Sequence, residues 1–333
     1  MDFRLDYRRY ALPFRRTIRT ARGAWDRREG LYVRLERPDG TVGFGEAAPV
    51  PGFGADSLAE AERECEALAG PVSAARLAAV PERLGSLRGA LAAATAASAP
   101  VPTRSLAVAA LLSAGRAALT EAPARAEAGF RVFKWKVGVG AADDEMAMLD
   151  DLLAALPTGS KLRLDANGAW HRRAAEQWLA RASDRPVEFV EQPVAADGKG
   201  ARDLLLGLAG DYPVPIGLDE SVVDEGDVGR WLDDGWPGYF IVKPSLLGDA
   251  PASVSRLAAA DARVVFSSAL ETAMGARAAL GVAFAWTGRP SALGFGVWPL
   301  FADPRFDGPA AAPFLHSDDL RRIDPATLWN AVS

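Results

Sequence analysis

Polar residues close a series of short apolar runs in the second half of the chain, at a nearly constant interval. From Lys136 to Asp165 is 29 residues, then Glu191 follows after 26, Asp219 after 28, Lys243 after 24 and Ser267 after 24. An interval in the mid-twenties holds one strand, one helix and two short loops. Strands are expected near 107–112, 132–137, 162–165, 189–191, 216–219, 239–243, 264–267 and 292–295. Eight such units predict an α/β fold, a parallel (β/α)8-type TIM barrel over residues 101–300. The competing layout is an open doubly wound sheet. It calls for a glycine-rich phosphate loop after the first strand, and none is present.

Residues 1–100 have a different rhythm. Leu31 to Glu36 alternates apolar and polar, Pro38-Asp-Gly-Thr reads as a turn, and Val42-Gly-Phe-Gly-Glu resumes, which is a hairpin pattern. Helical spacing runs from about Ser57 to Ala97. Strands followed by helices predict a separate α+β unit. Residues 301–333 are expected to return to it.

Composition removes several classes. Thirty-eight Lys and Arg against 43 Asp and Glu give a net charge of -5, so no broad nucleic-acid surface is expected. Cys65 is the single cysteine and His171 and His316 are the two histidines, which excludes a disulfide and a His-rich zinc site. The charged N-terminus does not resemble a signal peptide, and no apolar run approaches the roughly 20 residues of a membrane span. A cytoplasmic protein without membrane contact is expected; the sequence sets no oligomeric state.

Side chains alternate faces along a strand. Phe133, Trp135 and Val137 share one face, and Lys134 and Lys136 the other. With the bulky residues against the helices, both lysines point inward. The same reasoning turns Arg163, Asp165, Asn167, Glu191, Asp219 and Lys243 inward. Taken singly, Asp165 reads as a solvated strand end. Three acids at three successive strand ends, flanked by lysines, read differently, because inward charge is costly unless paired or metal-bound. Three carboxylates without His or Cys suit a hard divalent cation, Mg2+ first and Mn2+ next. The surplus of Lys134, Lys136, Lys243 and Arg163 then favours an anionic small molecule, most simply a carboxylate. Positive neighbours and desolvation lower a lysine's pKa toward general-base use.

Phe133-Lys-Trp-Lys, Leu164-Asp-Ala-Asn-Gly-Ala-Trp, Phe189-Val-Glu-Gln-Pro, Gly217-Leu-Asp-Glu-Ser and Val242-Lys-Pro-Ser-Leu-Leu-Gly resemble the enolase superfamily, muconate-lactonizing-enzyme subgroup. Gly43-Phe-Gly-Glu-Ala-Ala-Pro resembles its N-terminal capping domain. The resemblance implies an enolase-like barrel with a capping domain at 1–100 and a C-terminal segment, 301–333, against that cap. It implies Asp165, Glu191 and Asp219 as Mg2+ ligands and Lys136 as the base that takes an α-proton. It implies Lys243 as the cation opposite and Lys134 as an aid to carboxylate binding or to keeping Lys136 neutral. Arg163, Asn167, Ser267 and Ser268 would border the substrate. The implied reaction is syn dehydration of the dicarboxylate 2-succinyl-6-hydroxy-2,4-cyclohexadiene-1-carboxylate to 2-succinylbenzoate, in menaquinone biosynthesis. The alternative is racemisation of N-succinylamino acids or a related epimerisation.

Two stretches depart from the pattern. A Pro-Val-Asn-like run at the first barrel strand is replaced by Pro102-Thr-Arg-Ser, and the last strand reads Gly294-Phe-Gly-Val-Trp-Pro. The latter offers no acid pair to hold a dipeptide ammonium. Loops at 20–25 and 51–55 are candidates to close the barrel mouth. Gly138-Val-Gly reads as a turn, His171 as a helix cap, and Trp298 and Phe301 as packing. Cys65 sits between acids and reads as inert.

Overall fold

The structure is a computed structural model and describes residues 2–20, 23–54, 56–96 and 101–332. Ala21 and Arg22, in the first candidate closing loop, and Ala55, at the end of the second, lie outside the described residues.

The N-terminal part is a four-stranded antiparallel sheet in the order β3-β2-β1-β4. It comprises β1 (Phe3–Thr20), β2 (Gly23–Glu36), β3 (Val42–Ala47) and β4 (Gly70–Val72). The expected hairpin is β2–β3, with Glu36 opposite Val42. Gly40, at φ +82°, makes the turn. The expected helical region forms α1 (Leu58–Leu68), α2 (Ala74–Ala78) and α3 (Gly85–Thr95). Gly43 and Gly45 bring α3 onto β3, since a Cβ at either would strike the Ala94 or Ala90 backbone. Leu5, Leu31, Val33, Leu35, Leu87 and Leu91 share this unit's core.

Strands and helices then alternate: β5 (Ser105–Ala107), β6 (Ala110–Leu112), α4 (Ala117–Glu127), β7 (Val132–Lys136), α5 (Ala142–Ala155), β8 (Lys161–Asp165) and α6 (Arg172–Ala182). The series continues with β9 (Val187–Glu191), α7 (Ala201–Asp211), β10 (Ile216–Leu218), α8 (Glu225–Asp233), β11 (Tyr239–Val242), α9 (Ala250–Ala259), β12 (Arg263–Phe266) and α10 (Ala273–Ala285). Strands β6 to β12 form one seven-stranded sheet in sequence order, every neighbouring pair parallel. Phe133, Trp135, Leu162, Leu164, Val190, Leu218 and Val242 are buried in one core with residues of the surrounding helices, as the alternation predicts. On the other face, Phe189, Ile241 and Val265 form a small separate cluster.

Two strand expectations need correction. The stretch near 107–112 divides: β5 pairs antiparallel with β13 (Phe314–His316), and β6 joins the parallel sheet. The stretch near 292–295 is no strand. Leu293 and Gly294 make single parallel bridges to Val108 and Ser267, which lie just before β6 and just after β12, the two edge strands of the seven-stranded sheet. Its glycines explain the weak pairing, since they come so close that a Cβ at Gly294 or Gly296 would lie 2.6 Å from Ser267 Oγ or 2.5 Å from the Ala109 carbonyl.

The chain ends with β13, α11 (Ser317–Arg321) and α12 (Pro325–Ala331). Phe301, Phe306, Leu328 and Trp329 share a third core with Tyr10, Phe14 and Tyr32 of the N-terminal sheet. Among the described residues no helix is long and apolar enough to cross a membrane.

Candidate active site

Five consecutive strands deliver the polar cluster. Lys134 and Lys136 leave β7, Asp165 ends β8, Glu191 ends β9, and Asp219 and Lys243 follow β10 and β11 by one residue. All but Lys134, midway along β7, lie at the C-terminal ends of parallel strands, the face on which barrels carry their chemistry. Asp165, Glu191 and Asp219 are almost fully buried.

Lys134 Nζ lies 2.6 Å from Glu191 Oε1 and 3.0 Å from Asp165 Oδ2. Burial opposes its charge, but Asp165 and Glu191 outweigh burial and hold the ammonium above its usual range. Asp165 is likewise opposed by burial yet held well below the carboxylate range by Lys134 and Lys136. Lys136 Nζ lies 2.7 Å from Asn167 Oδ1 and 3.4 Å from Asp165 Oδ2. Lys243 donates to Asp219, and its ammonium stands 4.5 Å from the Phe53 ring centroid. Burial lowers Lys243 to about 7.

Two residues in left-handed conformations set the strand exits. Asn167, at φ 45°, donates its N–H to Asp165 Oδ1 at 3.1 Å. Gln192, at φ 37° and buried, accepts from Asp219 N at 3.0 Å and Ser221 N at 3.2 Å. It thereby ties the end of β9 to the acid after β10. Such strain persists only where the surroundings over-determine it.

Ser267 and Ser268 are buried beside the sheet edge. Ser267 Oγ donates to the Gly294 carbonyl at 3.3 Å, and Ser268 Oγ donates to Glu271 Oε2 at 3.0 Å. Arg163 has protein partners at two of its nitrogens, while Nη2 is buried without one. It is fully buried, with Nε on Glu188 Oε2 at 2.7 Å, Nη1 on the Ala292 carbonyl at 2.8 Å, and the guanidinium over Phe189. The register between β8 and β9 shifts here: Leu162 faces Val187 but Arg163 faces Phe189. The extra residue, Glu188, supplies the counter-charge.

Motif reasoning left Glu220, Gln192, Phe53 and Glu271 without roles. Glu220 Oε1 accepts from Asn167 Nδ2 at 3.2 Å, and its Oε2 is buried without a partner. Burial, with repulsion from Asp165 and Glu191, raises it to about 7. The adjacent Asp-Glu in Gly217-Leu-Asp-Glu-Ser is the signal that pointed to it.

Among the described residues no group of three or more His, Cys, Asp or Glu side chains is arranged as a ready metal cage. Lys134 lies between Asp165 and Glu191, and Lys243 holds Asp219. The donors nevertheless fit a hard cation: all are carboxylate oxygens, and the orphaned Glu220 oxygen leaves a further buried acceptor without a partner beside them.

An antiparallel cap on a parallel α/β sheet, with lysines flanking acids along one rim, defines the enolase-like class. Residues 117–311 match the family model described as Enolase C-terminal domain-like, and residues 4–95 match MenC, N-terminal domain. The o-succinylbenzoate synthase of Thermosynechococcus vestitus is 42% identical over 303 residues, 88% of this chain and 92% of that protein. The chain therefore belongs to the o-succinylbenzoate synthase family of the enolase superfamily. The crystal structure of o-succinylbenzoate synthase from Thermosynechococcus elongatus BP-1, complexed with Mg in the active site, superposes with a TM-score of 0.83 at 38% identity, covering 99% of this chain and 100% of that one. The L-Ala-D/L-Glu epimerase of Bacillus subtilis shares the fold, with a TM-score of 0.81 at 23% identity over 95% and 96% of the two chains.

Proposed function

We propose that this chain is a Mg2+-dependent hydro-lyase that converts 2-succinyl-6-hydroxy-2,4-cyclohexadiene-1-carboxylate to 2-succinylbenzoate and water, a cytoplasmic step of menaquinone biosynthesis. The observation that carries the reading is the order along the rim: Lys134 and Lys136, Asp165, Glu191, Asp219, Lys243, on five successive strands. Asp165, Glu191 and Asp219 would hold Mg2+, with Mn2+ as a substitute and Glu220 beside them. The bound ion would neutralise the ring carboxylate and the negative charge that grows on it as the α-proton leaves.

The protein's own groups do the rest. Neutral Lys136 removes the α-proton, with Asn167 Oδ1 fixing its amine. Lys243, as the ammonium, faces the developing enediolate charge. Lys134 stays cationic between Asp165 and Glu191 and offsets their charge. Lys136, now protonated, gives its proton to the departing hydroxyl on the same face. One C–H and one C–O bond break, the ring becomes aromatic, water leaves, and Lys136 returns to its neutral form. Ser267 and Ser268 line the far side of the site.

The Leu293–Gly294 bridges support reading that stretch as the eighth strand position and the sheet as a (β/α)8 barrel. The three cores support a division into 1–100, 101–300 and 301–333, with the last segment against the cap.

One preparation assayed on both substrate classes, with Mg2+ and with EDTA, tests the reading. Mg2+-dependent dehydration supports it. Dehydration unaffected by EDTA removes the metal role. Racemisation of N-succinylamino acids without dehydration gives the chain to the racemases instead.

A further inference from the structure

The turn after Lys136 is gathered by a carboxylate that the chemistry above does not use. Glu145, in the first turn of α5, is 1% exposed. One of its oxygens accepts from Gly138 N at 2.7 Å; the other accepts from Val139 N at 3.1 Å and Gly140 N at 2.8 Å. Three consecutive amides thus converge on one anion, the geometry of a backbone nest. The Gly-x-Gly after β7 is an anion cradle that the chain fills itself.

The gathered turn is wedged against the neighbouring strand exit. Gly138 has φ +76°, and a Cβ there would lie 2.9 Å from Ala169 Cβ and 3.1 Å from Trp170 Nε1. Val137 N donates to the Asp165 carbonyl at 2.9 Å. Behind it, Trp170 stacks on Trp178 at 5.1 Å, and Trp178 meets Trp135 edge-on at 6.4 Å. Trp135 and Val137, the chain neighbours of Lys136, are both buried. The helix side of Lys136 is fixed by aromatic packing, and its exit is fixed by Glu145.

We propose that Glu145 is a positioning residue for Lys136: by holding the three amides of the turn it sets the direction in which the base leaves β7. The inference rests on the reading of Lys136 as the base. A misplacement of about 1 Å at a reacting group costs on the order of 100-fold in rate, so the anchor matters although it touches no substrate.

A cavity of about 470 Å³ lies outside the nest, bordered by Gly115, Arg116, Val139, Gly140 and Glu145. Arg116 lines it together with Asp144 and Asp151, so a small, singly charged carboxylate such as formate is the probe for the amides once the Glu145 side chain is removed.

The test measures kcat and KM for dehydration in the wild type, Lys136→Ala, Glu145→Gln and Glu145→Ala, the last also across a formate series. Glu145→Ala is expected to lose roughly 100-fold in kcat while KM changes less than about threefold, and formate should restore about tenfold or more, saturably, without affecting the wild type. Glu145→Gln, which keeps one acceptor oxygen, should fall between. A fully active Glu145→Ala beside an inactive Lys136→Ala overturns the inference alone. A folded Glu145→Ala whose loss formate does not relieve also overturns it, leaving Glu145 a structural role only. A fully active Lys136→Ala overturns the base and this inference together. If Glu145→Ala does not fold, unchanged kcat in Glu145→Gln contradicts the proposal and reduced kcat with unchanged KM supports it.

Discussion

Lys134 and Lys136 leave the same face of one strand two residues apart, yet meet different partners. Lys134 is clamped between two carboxylates, whereas Lys136 reaches an amide oxygen and touches one carboxylate at longer range. Position along the strand therefore separates an ammonium held by two carboxylates from a lysine held mainly by an amide oxygen. Glu271 makes a different point. Burial, then the charge of Glu46, raises its carboxyl to about 7, and its Oε1 is buried without a partner. The folded state thus keeps a proton that the unfolded chain loses near the ordinary carboxyl pKa. Stability from this group is full at low pH and falls as pH rises from about 4.5 toward 7, by up to about 1.4 kcal/mol per pH unit. Glu271→Gln should flatten the thermal-midpoint profile between pH 5 and 7; an unchanged slope would assign the dependence to other groups. The lysines and three acids were legible in the sequence because period-two alternation fixes faces from local pattern alone. The Arg163–Glu188 pair was not legible, because one extra residue, Glu188, shifts the register and supplies a partner that alternation does not foresee. Gln192 and Glu220 were missed because their partners follow other strands, β10 for Gln192 and β8 for Glu220.

At the scale of elements, the βα loops and the cap meet over the rim. The loop after β3 carries Phe53 onto Lys243. Phe53→Ala should raise KM for the substrate by about tenfold, in line with a desolvated cation–π contact of about 1–2 kcal/mol, while Mg2+ affinity stays unchanged; an unaltered KM would leave Phe53 as simple packing. Arg28 of β2 is 2% exposed and donates to the carbonyls of Ala48, Pro49, Ala269 and Leu270, joining the cap to the loop after β12. Glu46 of β3 completes the junction, accepting from Thr272 N at 3.0 Å and Gly275 N at 2.8 Å at the start of α10, where a carboxylate suits the helix dipole. Arg28→Ala strands buried carbonyls and should cost about 3 kcal/mol in urea unfolding; a loss under 1 kcal/mol would show that those carbonyls find other donors. The hairpin and the helices of the cap were legible from turn residues and helical spacing. The reduction of the stretch near 292–295 to two single bridges was not, because its glycines answer to tertiary approach. His171 does cap its helix, its Nδ1 accepting from Ala174 N at 3.2 Å.

Across the whole molecule, the C-terminal return binds the ends of the chain together. Arg8 of β1 donates to the carbonyls of Trp329 at 2.6 Å and Val332 at 2.7 Å, and Phe14 bridges Phe301. None of the three cores depends on a metal, so removing Mg2+ should leave the fold intact. Mg2+ at a hundred times its Kd should still stabilise the protein by about 2.7 kcal/mol through mass action, visible as a rise in Tm that Glu191→Gln abolishes. A Tm indifferent to Mg2+ would argue against the carboxylates as ligands. The regular interval between strand ends made the second half legible as one parallel unit, since each repeat must return to the same rim. The return of residues 301–333 was expected only through the family resemblance, and its contacts depend on apolar residues scattered along both termini. The most direct test of the central claim is the dehydration rate of folded Lys136→Ala with saturating Mg2+. A kcat lower by about 100-fold to 10,000-fold, the span for loss of a general base, is expected; a kcat within a few-fold of the wild type would contradict the role of Lys136 as the base.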